Sequence, residues 1–165
     1  MGTPVGAIGL APSNANTIYA AADSHIFVTT NHGASWTERS IGFFEQHVQD
    51  LQVDPSNPQI VYAVINRFNP RGTVLRSVNG GTTWTNISGN LPNEPVWSLQ
   101  IGTRSGTLYV GADDGVYVTA NFGASWSRFG AGLPNAQVFQ IELNSKLHIL
   151  GAGTHGRSMW EISTR

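Results

Sequence analysis

One eight-residue pattern occurs three times along the chain: Thr29-Thr-Asn-His-Gly-Ala-Ser-Trp36, Ser77-Val-Asn-Gly-Gly-Thr-Thr-Trp84 and Thr119-Ala-Asn-Phe-Gly-Ala-Ser-Trp126. All three read (S/T)-x-N-x-G-x-(S/T)-W, and their tryptophans lie 48 and 42 residues apart. A chain that repeats one motif at such a period folds as a string of similar units. Each unit is too small to bury its apolar side alone and stacks on the next. Other segments keep the same phase. Leu10-Ala-Pro-Ser-Asn…Tyr19 matches Val53-Asp-Pro-Ser-Asn…Tyr62, and the tyrosine strand returns in Leu108-Tyr-Val-Gly-Ala and, more loosely, in Leu147-His-Ile-Leu-Gly-Ala. Asn90-Leu-Pro-Asn93 and Gly132-Leu-Pro-Asn135 mark the passage between units.

Within each unit the apolar runs are short, rich in Val, Ile, Tyr and Thr, and bounded by Gly, Asn and Pro, which is the signature of strands. They fall near 5–10, 17–22, 26–30 and 35–39; 48–53, 60–65, 74–78 and 83–87; 96–101, 107–112, 116–120 and 125–129; and 138–143, 147–152 and 159–162. No window has helical apolar spacing long enough to compete. The reading is all-β, with units near 1–46, 47–95, 96–136 and 137–165. A period of about 40–50 residues suits one four-stranded propeller blade, and the last unit is one strand short.

Each repeated motif fits a hairpin between the third and fourth strands. The Asn carbonyl accepts from turn amides, the Gly permits a positive φ, and the Trp ring lies against the sheet. Burying that ring removes up to about 150–250 Å² from water. The motif resembles the Asp-box, or bacterial neuraminidase repeat, of the propellers of sialidases, sortilin-like receptors and xyloglucanase-type glycoside hydrolases. Asn31, Asn79 and Asn121 stand where that repeat has Asp. Asn keeps the acceptor and loses the charge, so the turn survives while a hard-cation site is disfavoured. Asn31, Gly33, Trp36, Asn79, Gly81, Trp84, Asn121, Gly123 and Trp126 are therefore read as structural. Gly151–Arg157 resembles a closing-blade turn, which implies a natural C-terminal end.

Charged residues make up only 12% of the 165 residues and net charge is -1, which argues against phosphate-driven nucleic acid binding. With no cysteine, disulfides and thiolate metal sites are excluded. No apolar run approaches the roughly 20 residues of a membrane span, and no signal peptide is evident. No cofactor or metal is expected. The resemblance implies an extracellular or periplasmic setting.

In the resembled propellers, the loops after second strands and the blade crossings share one face. Here those segments collect the charged, histidine and aromatic groups: Asp23 and His25; Phe43, Phe44, Glu45 and His47; Arg67, Phe68 and Arg71; Glu94; Asp113 and Asp114; His155 and Arg157. Asp23 and Asp113 each lie four residues after a repeat tyrosine, and glycoside hydrolysis needs paired carboxylates. In xyloglucanase-like enzymes an aspartate just after a second strand is catalytic, which makes Asp23 and Asp113 candidates; the same position suits a turn-fixing Asp. Arg67, Arg71 and Arg157 can bind a carboxylate bidentately, yet the sialidase arginine triad cannot be assigned residue by residue. His25, His47 and His155 lack metal-ligand spacing. His32 reads as a turn residue and His148 as a strand residue. Phe43, Phe44, Phe68 and Trp97 can stack on a sugar or peptide. Asn86-Ile-Ser88 is a glycosylation sequon.

The function expected is a non-catalytic binding or scaffold module contacting glycan or protein through the loop-rich face, with a fragment of a xyloglucanase-like hydrolase as the alternative. The short last unit leaves open edges. The ring is completed by further blades in cis or by a second copy in trans, or the chain forms a compact four-bladed monomer.

Overall fold

The computed structural model describes residues 4–22, 24–39, 47–68 and 73–165. These residues form four antiparallel sheets and no helix. The first sheet holds β1 (Ala7–Leu10), β2 (Ile18–Ala22), β3 (His25–Thr29) and β4 (Thr37–Glu38). The second holds β5 (Val48–Val53), β6 (Val61–Ile65), β7 (Val74–Ser77) and β8 (Thr85–Asn86). The third holds β9 (Val96–Ile101), β10 (Leu108–Ala112), β11 (Val116–Thr119) and β12 (Ser127–Phe129). The fourth holds β13 (Val138–Asn144), β14 (Ile149–Thr154) and β15 (Met159–Ser163). Strands neighbour in chain order within every sheet, so, among the described residues, second-to-third-strand turns and sheet crossings lie at one end. The repeated motifs lie at the other.

The fourth strands are shorter than the sequence suggests: two residues in β4 and β8, three in β12. Tryptophan and its neighbours complete the motif turn before pairing begins. His148 is not a strand residue; it has φ 55° in the turn before β14.

The sheets stack through their faces, with first strands adjacent in the order β1, β5, β9, β13. Three cores result. Tyr19, Ala21 and Val28 pack on Leu51, Val61 and Leu75. Tyr62, Val64 and Val74 pack on Val96, Leu99 and Val110. Tyr109 and Val116 pack on Val138, Ile141 and Leu150. Burial explains the sequence patterns. β6 (VYAVI) and β10 (LYVGA) are buried at every position because a sheet covers each face, and such strands read as continuous apolar runs. β1 and β2 alternate, since only one of their faces is covered.

The three motif turns are superimposable in their bonding. Thr29 Oγ1 donates to Asn31 Oδ1 (2.9 Å) and accepts from the Gly33 amide (2.9 Å), while Asn31 Oδ1 also accepts from the Ser35 amide (2.9 Å). Ser77/Asn79/Gly81/Thr83 and Thr119/Asn121/Gly123/Ser125 repeat this set. The two central residues are left-handed in each turn, for example His32 (φ 55°) and Gly33 (φ 85°), as a type I′ turn requires. A Cβ on Gly123 would run into the Ile87 carbonyl of the preceding sheet, so glycine is needed there for space as well as for φ.

The tryptophans do not share one environment. Trp126 is 5% exposed and donates from Nε1 to Ile87 O of the preceding sheet (2.9 Å). Trp84 packs against the first-sheet core. Trp36 is 44% exposed. The indole fills a space between its own sheet and the one before it, and among the described residues nothing precedes the first sheet.

Candidate functional site

The end of the molecule opposite the motif turns brings together residues from four loops and two first strands. The tight turn between β10 and β11, closed by the Ala112 amide on Gly115 O (2.8 Å), presents Asp113 and Asp114. The crossing from β8 to β9 contributes Glu94, and β9 itself contributes Trp97. The crossing from β12 to β13 contributes Gln137, β13 contributes Phe139, and the turn after β14 contributes His155, whose amide bonds to Gln137 O (2.8 Å).

Two halves can be distinguished. In the first, Asp113 Oδ1 accepts from Trp97 Nε1 (2.7 Å) and from Gln137 Nε2 (3.0 Å). Gln137 Oε1 in turn meets His155 Nδ1 at 3.3 Å. Trp97 and Phe139 meet edge to face, with centroids 4.6 Å apart, and Phe139 lies 5.4 Å from the His155 ring. Three rings thus run across the third and fourth sheets, with Phe139 and His155 exposed. In the second half, Asp114 Oδ2 accepts from Tyr117 OH (2.8 Å) and faces Arg128 Nη1 at 3.6 Å, while Arg128 Nη2 also donates to Asp114 O (2.6 Å).

Glu94 Oε1 and Asp114 Oδ1 are both buried without an N–H or O–H partner. Two carboxylates so placed can be satisfied by one proton between them. Burial, then the hydrogen bond and negative charge of Asp114, push Glu94 up to about 7, against the opposing pull of Arg128. Tyr117 is held far above the ordinary phenol range, first by burial and then by its bond to Asp114.

Of the residues singled out in the sequence, Asp113, Asp114, His155 and Glu94 meet here, together with Trp97. His25 instead pairs with Glu38 (3.2 Å) on the first sheet. Phe68 stands exposed after β6. His47 and Arg67 sit beside β5 and β6, on the second sheet. Arg157 lies in the β14–β15 turn, where its carbonyl accepts from Trp160 Nε1 (2.8 Å). Asp23, Phe43, Phe44, Glu45 and Arg71 lie outside the described residues. No group of three or more His, Asp or Glu able to hold a metal occurs among the described residues. Phe139, Gln137, Tyr117 and Arg128 were not singled out. An alignment of the first strands would have found Phe139, because Val96-Trp97 and Val138-Phe139 occupy one repeat position.

No family model matches the chain, and no curated protein matches it. Its fold matches solved structures. A GH74 enzyme of Niastella koreensis superposes with a TM-score of 0.73 at 22% identity, over 91% of this chain and 26% of that one. The GH74 xyloglucanase of Xanthomonas campestris gives 0.74 at 17% identity, over 97% and 29%. The extracellular domain of the hybrid two-component system BT4673 of B. thetaiotaomicron gives 0.74 at 15% identity, over 98% and 21%. The fold is a partial β-propeller. Its four sheets are blades, and the chain spans less than a third of the length of these neighbours. No helix of the described residues is long and apolar enough to cross a membrane.

Proposed function

We propose that this chain is a non-catalytic binding module of a propeller, taking glycan through the acidic and aromatic cluster on its loop-rich face. The observation that carries this is the run of Trp97, Phe139 and His155 beside Asp113. Exposed rings offer apolar faces to sugar C–H groups, and the neighbouring carboxylates and amides supply acceptors and donors for hydroxyls, the mix expected of a small-ligand site. Asp113 Oδ1 is already occupied by two donors, which suits a positioning role. The Asn-containing box turns are structural, and further blades, in cis or as a second copy, complete the ring. The resemblance to Asp-box propellers and the fold of an extracellular domain support an extracellular or periplasmic setting.

A glycan array followed by calorimetry tests this reading. β-Glucan or xyloglucan oligosaccharides are expected to bind without turnover, with Phe139→Ala weakening affinity about tenfold, equivalent to about 1.4 kcal/mol. Absence of binding to any glycan at about millimolar concentration would remove it; affinities of isolated stacking sites reach that range.

A second reading, a fragment of a xyloglucanase-like hydrolase with Asp23 or Asp113 as acid or base, has one observation in its favour. Glu94 keeps a proton to about 7, as a general acid must. It requires hydrolysis that Asp113→Asn or Glu94→Gln abolishes.

A further inference from the structure

Each blade has two different faces. The leading face packs on the blade before it and the trailing face on the blade after. The registers put Leu51, Ala63 and Leu75 on the leading face of the second blade, and Leu99, Val110 and Tyr117 on that of the third. The fourth blade has Ile141, Ala152 and Trp160 there. By the same registers the first blade presents Ile8, Ala20 and Phe27, preceded by Val5 at the position of Val48, Val96 and Val138. Its leading face is therefore built as an interface. Val5, Ile8 and Leu10 are 56%, 61% and 65% exposed, whereas Val48, Leu51 and Val53 are buried. Trp36 is the uncovered counterpart of Trp84 and Trp126.

The trailing face of the fourth blade is the other uncovered end. It forms an open trough of about 580 Å³ lined by Gln140, Glu142, Gly151, Gly153, Met159 and Glu161. Met159, 86% exposed, stands where the second and third blades bury Val74 and Val116. Two contacts across interior interfaces show what this trough lacks. Asp50 Oδ2 accepts from the Leu99 amide of the next blade (2.9 Å), and Ser98 Oγ from the Ile141 amide (3.1 Å). The equivalent donor and acceptor at the two open ends are the Ile8 amide and Gln140 Oε1. Arg76 lies over the Phe122 ring of the next blade at 4.7 Å. The equivalent pair is Glu161 and His32, a carboxylate and an imidazole.

We infer that the leading face of the first blade docks on the trailing face of the fourth blade of a second copy, and that two chains close head to tail as an eight-bladed ring. Each open end matches, position for position, one half of interfaces the chain already makes three times. Both halves are carried by the same chain, and their odd residues are complementary. Eight blades lie within the range of about four to eight that propellers use, and two heterologous contacts related by a twofold axis close without an exposed end. The inference rests on the partial-ring reading and not on glycan binding.

Light scattering of the purified chain is the test, with twice 17.7 kDa expected for the wild type. Ile8→Asp and Met159→Asp alter residues on the surface of the single chain, so circular dichroism should be unchanged while each variant becomes a monomer. Mixing the two variants should restore a dimer held by one intact contact, because each supplies the face that the other has lost. A dimer broken by Ile8→Asp but indifferent to Met159→Asp would overturn the inference in favour of leading faces packed on each other. A wild-type monomer would also overturn it. In that monomer, acrylamide quenching that Trp36→Phe removes would leave the partial ring standing with blades supplied in cis; a shielded Trp36 would remove both readings.

Discussion

In each of the three motif turns the asparagine side chain serves as acceptor and donor at once. Asn31 Oδ1 takes the Thr29 hydroxyl and the Ser35 amide, and Nδ2 donates to Ser35 Oγ at 2.9 Å, as Asn79 and Asn121 do to Thr83 and Ser125. No charge is left at the turn. Charge is concentrated at the opposite end, where Glu94 and Asp114 face each other. Glu94 binds its proton more tightly folded than unfolded, because its ordinary value of 4.5 rises to about 7. Between those values the folded state holds a proton that the unfolded state has released, so stability falls as pH rises through the window and levels off above it. Thermal melts between pH 4 and 8 should show this decline, and Glu94→Gln, which remains neutral, should flatten it. The aspartates and His155 were legible because they occupy loop positions fixed by the repeat. The Glu94–Asp114 contact was not, since the two residues meet only when a crossing folds over a turn of the same blade.

At the scale of elements, the strands were legible from short β-branched runs between turn residues, and the boundary errors have one cause. The box turn consumes residues that read as strand, so β4, β8 and β12 start late. What the sequence concealed is the bonding between sheets. Ser98 looks like any polar residue on an alternating strand, yet its hydroxyl satisfies the Ile141 amide of the next blade. Asp50 does the same for Leu99, and burial raises its pKa despite the bonds it receives. Ser98→Ala should lower unfolding free energy by about 1–2 kcal/mol, because a buried amide loses its acceptor. Chemical denaturation measures this, and Ser98→Thr, which keeps the hydroxyl, should recover part of the loss.

Across the whole molecule, stability should grade from the middle outward. The second and third blades are covered on both faces, and β6 and β10 are buried throughout. The first and fourth are covered on one. Local opening follows buried contacts, so amides of β6 and β10 should exchange slowest and those of β1 and β15 fastest at low protein concentration. Three of the four units were readable from the tryptophan spacing, and the fourth from its strand runs. The polarity of the stack was not, because it depends on which neighbour each indole touches. That polarity has a consequence for assembly. Trp126 Nε1 bonds to the carbonyl of Ile87, a residue that precedes it along the chain. Trp84 packs back in the same direction, so both covered indoles reach a unit already synthesised. A nascent chain can seat each motif ring as it emerges, without waiting for sequence still to come, and trimming from the amino end bares a motif indole while trimming from the other end leaves the remaining motif indoles on the blades before them.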